Sequence, residues 1–73
     1  MQFRAYFIDE NEHVRSAIDV AAPDAPAAVE RAQRLQGSFT VELWEIGDFD
    51  RLLQRFEALR ASRRASLGER RVG

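Results

Sequence analysis

The stretch Gly47-Asp48-Phe49-Asp50-Arg51-Leu52-Leu53-Gln54-Arg55-Phe56-Glu57-Ala58-Leu59 decides how this 73-residue chain is built. Its large apolar residues Phe49, Leu52, Leu53, Phe56 and Leu59 stand at i, i+3, i+4, i+7 and i+10, the stripe of an amphipathic helix. Gly47-Asp48 closes the segment before it, and Asp48 can cap the free N–H groups of a helix start. The spacing therefore predicts a helix that frays between Arg60 and Ser66, where arginine replaces the stripe. Residues after Gly68 are expected to be disordered.

Upstream of that stretch the period is two. Phe3, Ala5 and Phe7 alternate with Arg4, Tyr6 and Ile8, which predicts a strand over Gln2 to Ile8. His13 to Val20 alternates again, with Val14, Ser16, Ile18 and Val20 on one side. Folding the two about Glu10-Asn11 pairs Phe7 with Val14, Ala5 with Ser16 and Phe3 with Ile18. Pro23 and Asp24 end the pattern. Asp24 is placed as an N-cap with Pro26 in the first turn, ahead of Ala25, Ala28, Val29, Ala32 and Leu35 at helical spacing. Gly37 is placed to stop this helix as its C′ residue. Ser38 to Ile46 reads as a third strand, with Phe39, Val41 and Leu43 against Thr40, Glu42, Trp44 and Ile46.

The order β-β-α-β-α predicts a small α+β two-layer domain: a three-stranded antiparallel sheet, order 2-1-3, with two helices. The expected division is one domain over residues 1–62 and a basic tail over 63–73. Composition fits a compact fold, at 45% hydrophobic and 32% charged residues.

The opening Phe3-x-x-Tyr6-Phe7-Ile8-Asp9, then His13-Val14, Asp24-x-x-Ala27-x-x-x-Arg31-Ala32 and Val41-Glu42-Leu43-Trp44 form a series. It resembles a family of very short proteins of unknown function, abundant in rhizobia and related alphaproteobacteria. That family reads roughly as aromatic-Phe-x-Asp-x-x-Gly-His-Ile, an acidic helix start and a Val-Glu-x-Trp strand. The resemblance spans residues 3–46, with Glu12 where the pattern has glycine, and does not reach the arginine-rich second helix. It implies a fold and a bacterial source, and it implies no active site.

Chemistry is bounded by what is missing. With no cysteine there is no disulfide and no thiolate metal site, and with one histidine no multi-histidine site. All 11 basic residues are arginine, so reactions that need a lysine amine are excluded. Asp9, Asn11 and His13 could fill the first positions of a calcium loop. Val14 then stands where glycine is needed and Val20 where glutamate is needed, so a solvated hairpin tip is expected instead. His13 lies at the start of an exposed strand without an orienting partner. Ser16, Ser38, Ser62 and Ser66 lack a nucleophile elbow, and Arg63-Arg64-Ala65-Ser66 is read as a chance kinase-site match. The expectation is a protein that is not an enzyme, with no cofactor and no metal.

Surfaces offer more. Residues 1–59 carry 6 arginines against 11 acids, and residues 60–73 carry 5 arginines against Glu69 alone, so an acidic body bears a basic tail. Met1 to Tyr6 lack the basic-then-apolar order of a signal peptide, and no apolar run approaches the ~20 residues of a membrane span. A cytoplasmic protein without membrane contact is expected. The sheet face turned from the first helix would carry Arg4, Tyr6, Ile8, Arg15, Ala17, Glu42, Trp44 and Ile46. An apolar patch of this kind calls for a cover. The primary expectation is a non-enzymatic protein-interaction module forming a homodimer. Tyr6, Trp44, Ile46, Phe49, Leu52, Leu53, Phe56 and Leu59 form its interaction surface, with Trp44, Ile46 and the apolar stripe in one buried cluster, within a subunit or across the dimer. The alternative is a weak nucleic-acid binder using Arg60, Arg63, Arg64, Arg70 and Arg71, aided by Tyr6 and Trp44.

Overall fold

The computed structural model describes residues 2–59. β1 (Gln2–Ile8) and β2 (Val14–Val20) form a hairpin, α1 (Ala25–Gln33) follows, and β3 (Thr40–Ile46) and β4 (Arg51–Phe56) form a second hairpin. Every pairing is antiparallel, in the order β2-β1-β3-β4. This overturns the three-stranded, two-helix β-β-α-β-α architecture. Over the described residues the order is β-β-α-β-β, a small mostly-β domain with one helix, and Arg51–Phe56, expected to belong to the second helix, is the fourth strand. Residues 60–73, where the fraying, the tail and the end of the 1–62 domain were expected, lie outside the described residues.

A bulge explains the misleading spacing. Gln54 faces Leu43 and Leu52 faces Trp44, so Leu53 is an extra residue in β4. One inserted residue turns an alternation of two into a spacing of three. Leu53 and Phe56 therefore both pack against the core although they stand three apart. That is the i, i+3 signal of a helix. At the corner before β4 the Gly47 N–H donates to Asp50 Oδ1 at 3.3 Å, so the acid at work there is Asp50 and Asp48 caps no helix.

α1 begins as its sequence directs. Asp24 is its N-cap, accepting from the Ala27 N–H at 3.0 Å, with Pro26 in the first turn. The helix stops earlier than Gly37 would suggest: its C-cap is Arg34, and Gly37 has no positive φ, so it is not a C′ glycine. Leu35 and Gln36 instead donate back to Ala32 and Gln33 in a tight turn. Ala28 and Ala32 are fully buried against Phe3, Ala5, Val20, Val41 and Leu43, which together form the core. Small side chains let the helix lie close to the sheet, and Arg31 donates to the Ala21 carbonyl beside the end of β2.

The first hairpin differs in register. Phe3 faces Val20, Ala5 faces Ile18 and Phe7 faces Ser16, two residues from the expected pairing, and a bulge then sets Ile8 against Val14. A two-residue shift preserves the faces of Ser16, Ile18 and Val20, whereas the bulge carries Val14 to the other side. The tip sets this register. Glu12 has φ 64°, and its N–H donates to the Asp9 carbonyl at 3.0 Å, while the Asp9 N–H donates to the His13 carbonyl at 2.9 Å. A glutamate in the left-handed region costs about 1 kcal/mol or more relative to glycine. Glu12→Gly removes that cost and also an exposed ion pair with Arg55, worth about 0.2–1 kcal/mol. The strain is the larger effect, so Glu12→Gly is expected to raise the melting temperature by a few degrees. A lower melting temperature would show that the ion pair dominates.

Candidate functional site

With α1 on one side of the sheet, the other side is open among the described residues. Strand alternation places Arg4, Tyr6 and Ile8 there from β1, Ala17 and Asp19 from β2, Glu42, Trp44 and Ile46 from β3, and Leu52 and Arg55 from β4. Tyr6 meets Trp44 edge to face, ring centroids 6.5 Å apart at 86°. The Trp44 indole N–H donates to Glu42 Oε1 at 3.1 Å. Beside this pair lies an open groove of about 270 Å³ lined by Tyr6, Val14, Glu42, Trp44 and Asp50.

Arg55 organises the polar half of the face. Its Nη1 donates to Glu42 Oε2 at 2.8 Å, its Nη2 reaches Glu12 Oε2 at 3.2 Å, and its Nε donates to Glu57 Oε2 at 2.9 Å. One guanidinium thus ties β4 to β3 and to the tip of the first hairpin. The carboxylates of Glu57, Glu12 and Glu42 raise its proton affinity further, so it is a fixed cation at any working pH. At the far side of the face Arg4 pairs with Asp19 at 3.2 Å. Glu45 and Arg51 pair at 2.8 Å across the start of β4.

The expected surface residues separate. Tyr6, Trp44, Ile46 and Leu52 share the open face, while Leu53 and Phe56 turn to the core on the helix side. Phe49 sits in the β3–β4 turn and is 90% exposed. Leu59 is 49% exposed and donates its N–H to the Gly37 carbonyl at 2.9 Å. Within one chain, therefore, Trp44, Ile46 and the stripe do not form a single buried cluster. Sequence reasoning missed Val14, Asp50, Glu12 and Arg55. Arg55 and Glu12 are 43 residues apart, and the β4 bulge turns Arg55 to the face on which it meets Glu42 and the hairpin tip. The arginines of the tail, Arg60, Arg63, Arg64, Arg70 and Arg71, lie outside the described residues.

At the hairpin tip Asp9 Oδ1 accepts from the Asn11 and His13 N–H groups, each at 2.9 Å, and Arg15 stands 3.4 Å from Oδ2. The His13 N–H chiefly, with that of Asn11 and the Arg15 guanidinium, holds this carboxyl below its usual range against partial desolvation. A folded-state pKa below the unfolded value stabilises the fold above the unfolded pKa of about 3.9, and that contribution is lost as pH falls through the lower folded value. The stability advantage of the wild type over Asp9→Asn is therefore expected to shrink progressively as pH falls below about 4. A melting-temperature difference that stays constant below that pH would contradict this.

No helix among the described residues is long and apolar enough to cross a membrane, and none of their His, Cys, Asp and Glu side chains form a group able to hold a metal. Compared with protein-family models, with curated proteins and with solved structures, the chain matches none. The geometry of the open face and of the sheet edges thus carries the functional argument by itself.

Proposed function

We propose that this protein is a non-enzymatic interaction module that works as a homodimer in the cytoplasm. The carrying observation is that, among the described residues, one helix covers one side of a four-stranded sheet, leaving Tyr6, Val14, Trp44, Ile46 and Leu52 on a side with no second layer and β2 along an unpaired edge. A domain of this size buries only about 60% of its chain surface and gains stability by burying more against a partner. The polar groups of the face are engaged with one another, as in Arg55 with its three carboxylates, which suits docking of protein better than turnover of a substrate. Glu42 and Asp50 on the groove disfavour phosphate beside Trp44, so nucleic-acid binding rests on the basic tail alone. Light scattering at tens of micromolar tests the reading. Twice the 8.4 kDa chain mass is expected at both ~50 and ~200 mM salt, because burial of apolar surface is not screened. A strict monomer with a cooperative melt overturns it.

A further inference from the structure

We infer that the seam of this dimer is the free edge of β2, paired antiparallel with β2 of a second copy about a two-fold axis at Ala17. The inference rests on the homodimer reading and places its seam at a strand edge, which sets the two open faces side by side without covering them. β2 ends the sheet, and Val14 to Asp19 are all exposed along it. Alternate residues of such an edge direct their N–H and C=O groups outward, ready to pair with a strand. A two-fold axis perpendicular to a sheet gives an antiparallel pair centred on one residue, and Ala17 is the middle of Val14–Val20.

Charge selects this register. Centred on Ala17, the strand sets Arg15 opposite Asp19 of the second copy, and the symmetry repeats the contact. Centring on Ser16 sets Arg15 against Ala17 and Asp19 against His13. Centring on Ile18 sets Arg15 against Ala21 and Asp19 against Ala17. Only the full-length register matches both charges, and opposed charges directly across a ladder favour pairing. Within one chain Arg15, the extra residue of the β2 bulge, pairs with Asp9 and Asp19 pairs with Arg4; with Arg15 62% and Asp19 71% exposed, both side chains can also reach across the seam. The opposite edge is less suited to self-pairing about its middle. Centred on its bulged residue Leu53, β4 would set Arg51 against Arg55 of the second copy, like charge on like. Pairing through β2 also joins the two open faces into one eight-stranded surface.

The chain has no cysteine, so single cysteines report the register directly. Facing Cα atoms in the ladder lie about 4.5–5.5 Å apart, within disulfide reach. Two residues' offset puts Ser16 and its own copy, or Ile18 and its own copy, roughly 8 Å apart, beyond it. Under mild oxidation Ala17→Cys is expected to cross-link at least tenfold faster than Ser16→Cys or Ile18→Cys. Sedimentation velocity supplies the second arm. Arg15→Asp alone and Asp19→Arg alone are each expected to weaken self-association at least tenfold, and an equimolar mixture to restore a heterodimer. Circular dichroism melts of each variant confirm that it is folded. A dimer that cross-links equally at all three positions, or that ignores both charge reversals, overturns the seam and leaves the homodimer reading standing. A chain that stays monomeric at every concentration overturns both.

Discussion

Replacing Phe3 by alanine is expected to cost roughly 3–5 kcal/mol, enough to unfold a domain of this size at ordinary temperature. Phe3 has no exposed surface, and it belongs to the buried core in which Ala28 and Ala32 of α1 pack on the sheet. Alanines on the helix have no bulk with which to fill the hole. At about 4–8 °C per kcal/mol the melting temperature should fall by roughly 15–30 °C, read by circular dichroism. A fall under about 5 °C would mean that the helix is not seated on Phe3. Phe56, at the end of an edge strand, is only partly buried and should cost less. Phe49→Ala should cost almost nothing, because Phe49 is in water already.

The second large effect belongs to Arg55. Arg55→Met keeps the aliphatic stem against the sheet and removes the cation between Glu42, Glu12 and Glu57. Glu42 is the exacting partner, with its side chain 18% exposed and its other oxygen already accepting from Trp44. A half-buried carboxylate stripped of its cation costs more than a surface ion pair and less than a fully buried one, so about 1–3 kcal/mol is expected. Screening by solvent at the 31%-exposed guanidinium keeps the effect at the lower end of that range. Glu42→Gln in the Arg55→Met background should recover part of the loss, since it removes the unpaired charge. If Arg55→Met melts within a degree or two of the wild type, the network does not tie β4 to the sheet.

Three of the four strands, the capped start of the helix and most of the open face were legible from alternation and from Asp24-x-Pro26. They follow from local rules: period two for β1, β2 and β3, a side-chain acceptor before Ala27, and alanines at helical spacing. What failed did so at the bulges. Leu53 and Phe56 obey a helical spacing while lying in a strand, because an inserted residue is indistinguishable from a change of period in a six-residue segment. A signal for the strand was present. Gly47-Asp48-Phe49-Asp50 is a four-residue connection between two apolar segments, a common hairpin length. Glu42 and Glu45 before it also mirror Arg55 and Arg51 after it, as cross-strand ion pairs do. Val14 was misplaced for the same reason, since the bulge at Arg15 turns it from the core to the groove beside Tyr6.

The claim that this domain acts by pairing its β2 edge with a second copy of itself is tested most directly by amide hydrogen exchange along Val14–Val20 at several protein concentrations. Amides directed at β1 are shielded by the hairpin in every state, whereas those directed outward are shielded only when a second strand lies alongside. At hundreds of micromolar the outward amides are expected to exchange slowly, and to speed up on dilution to the low micromolar range while the β1-facing amides stay unchanged. Outward amides that exchange at the same fast rate at every concentration would contradict the account.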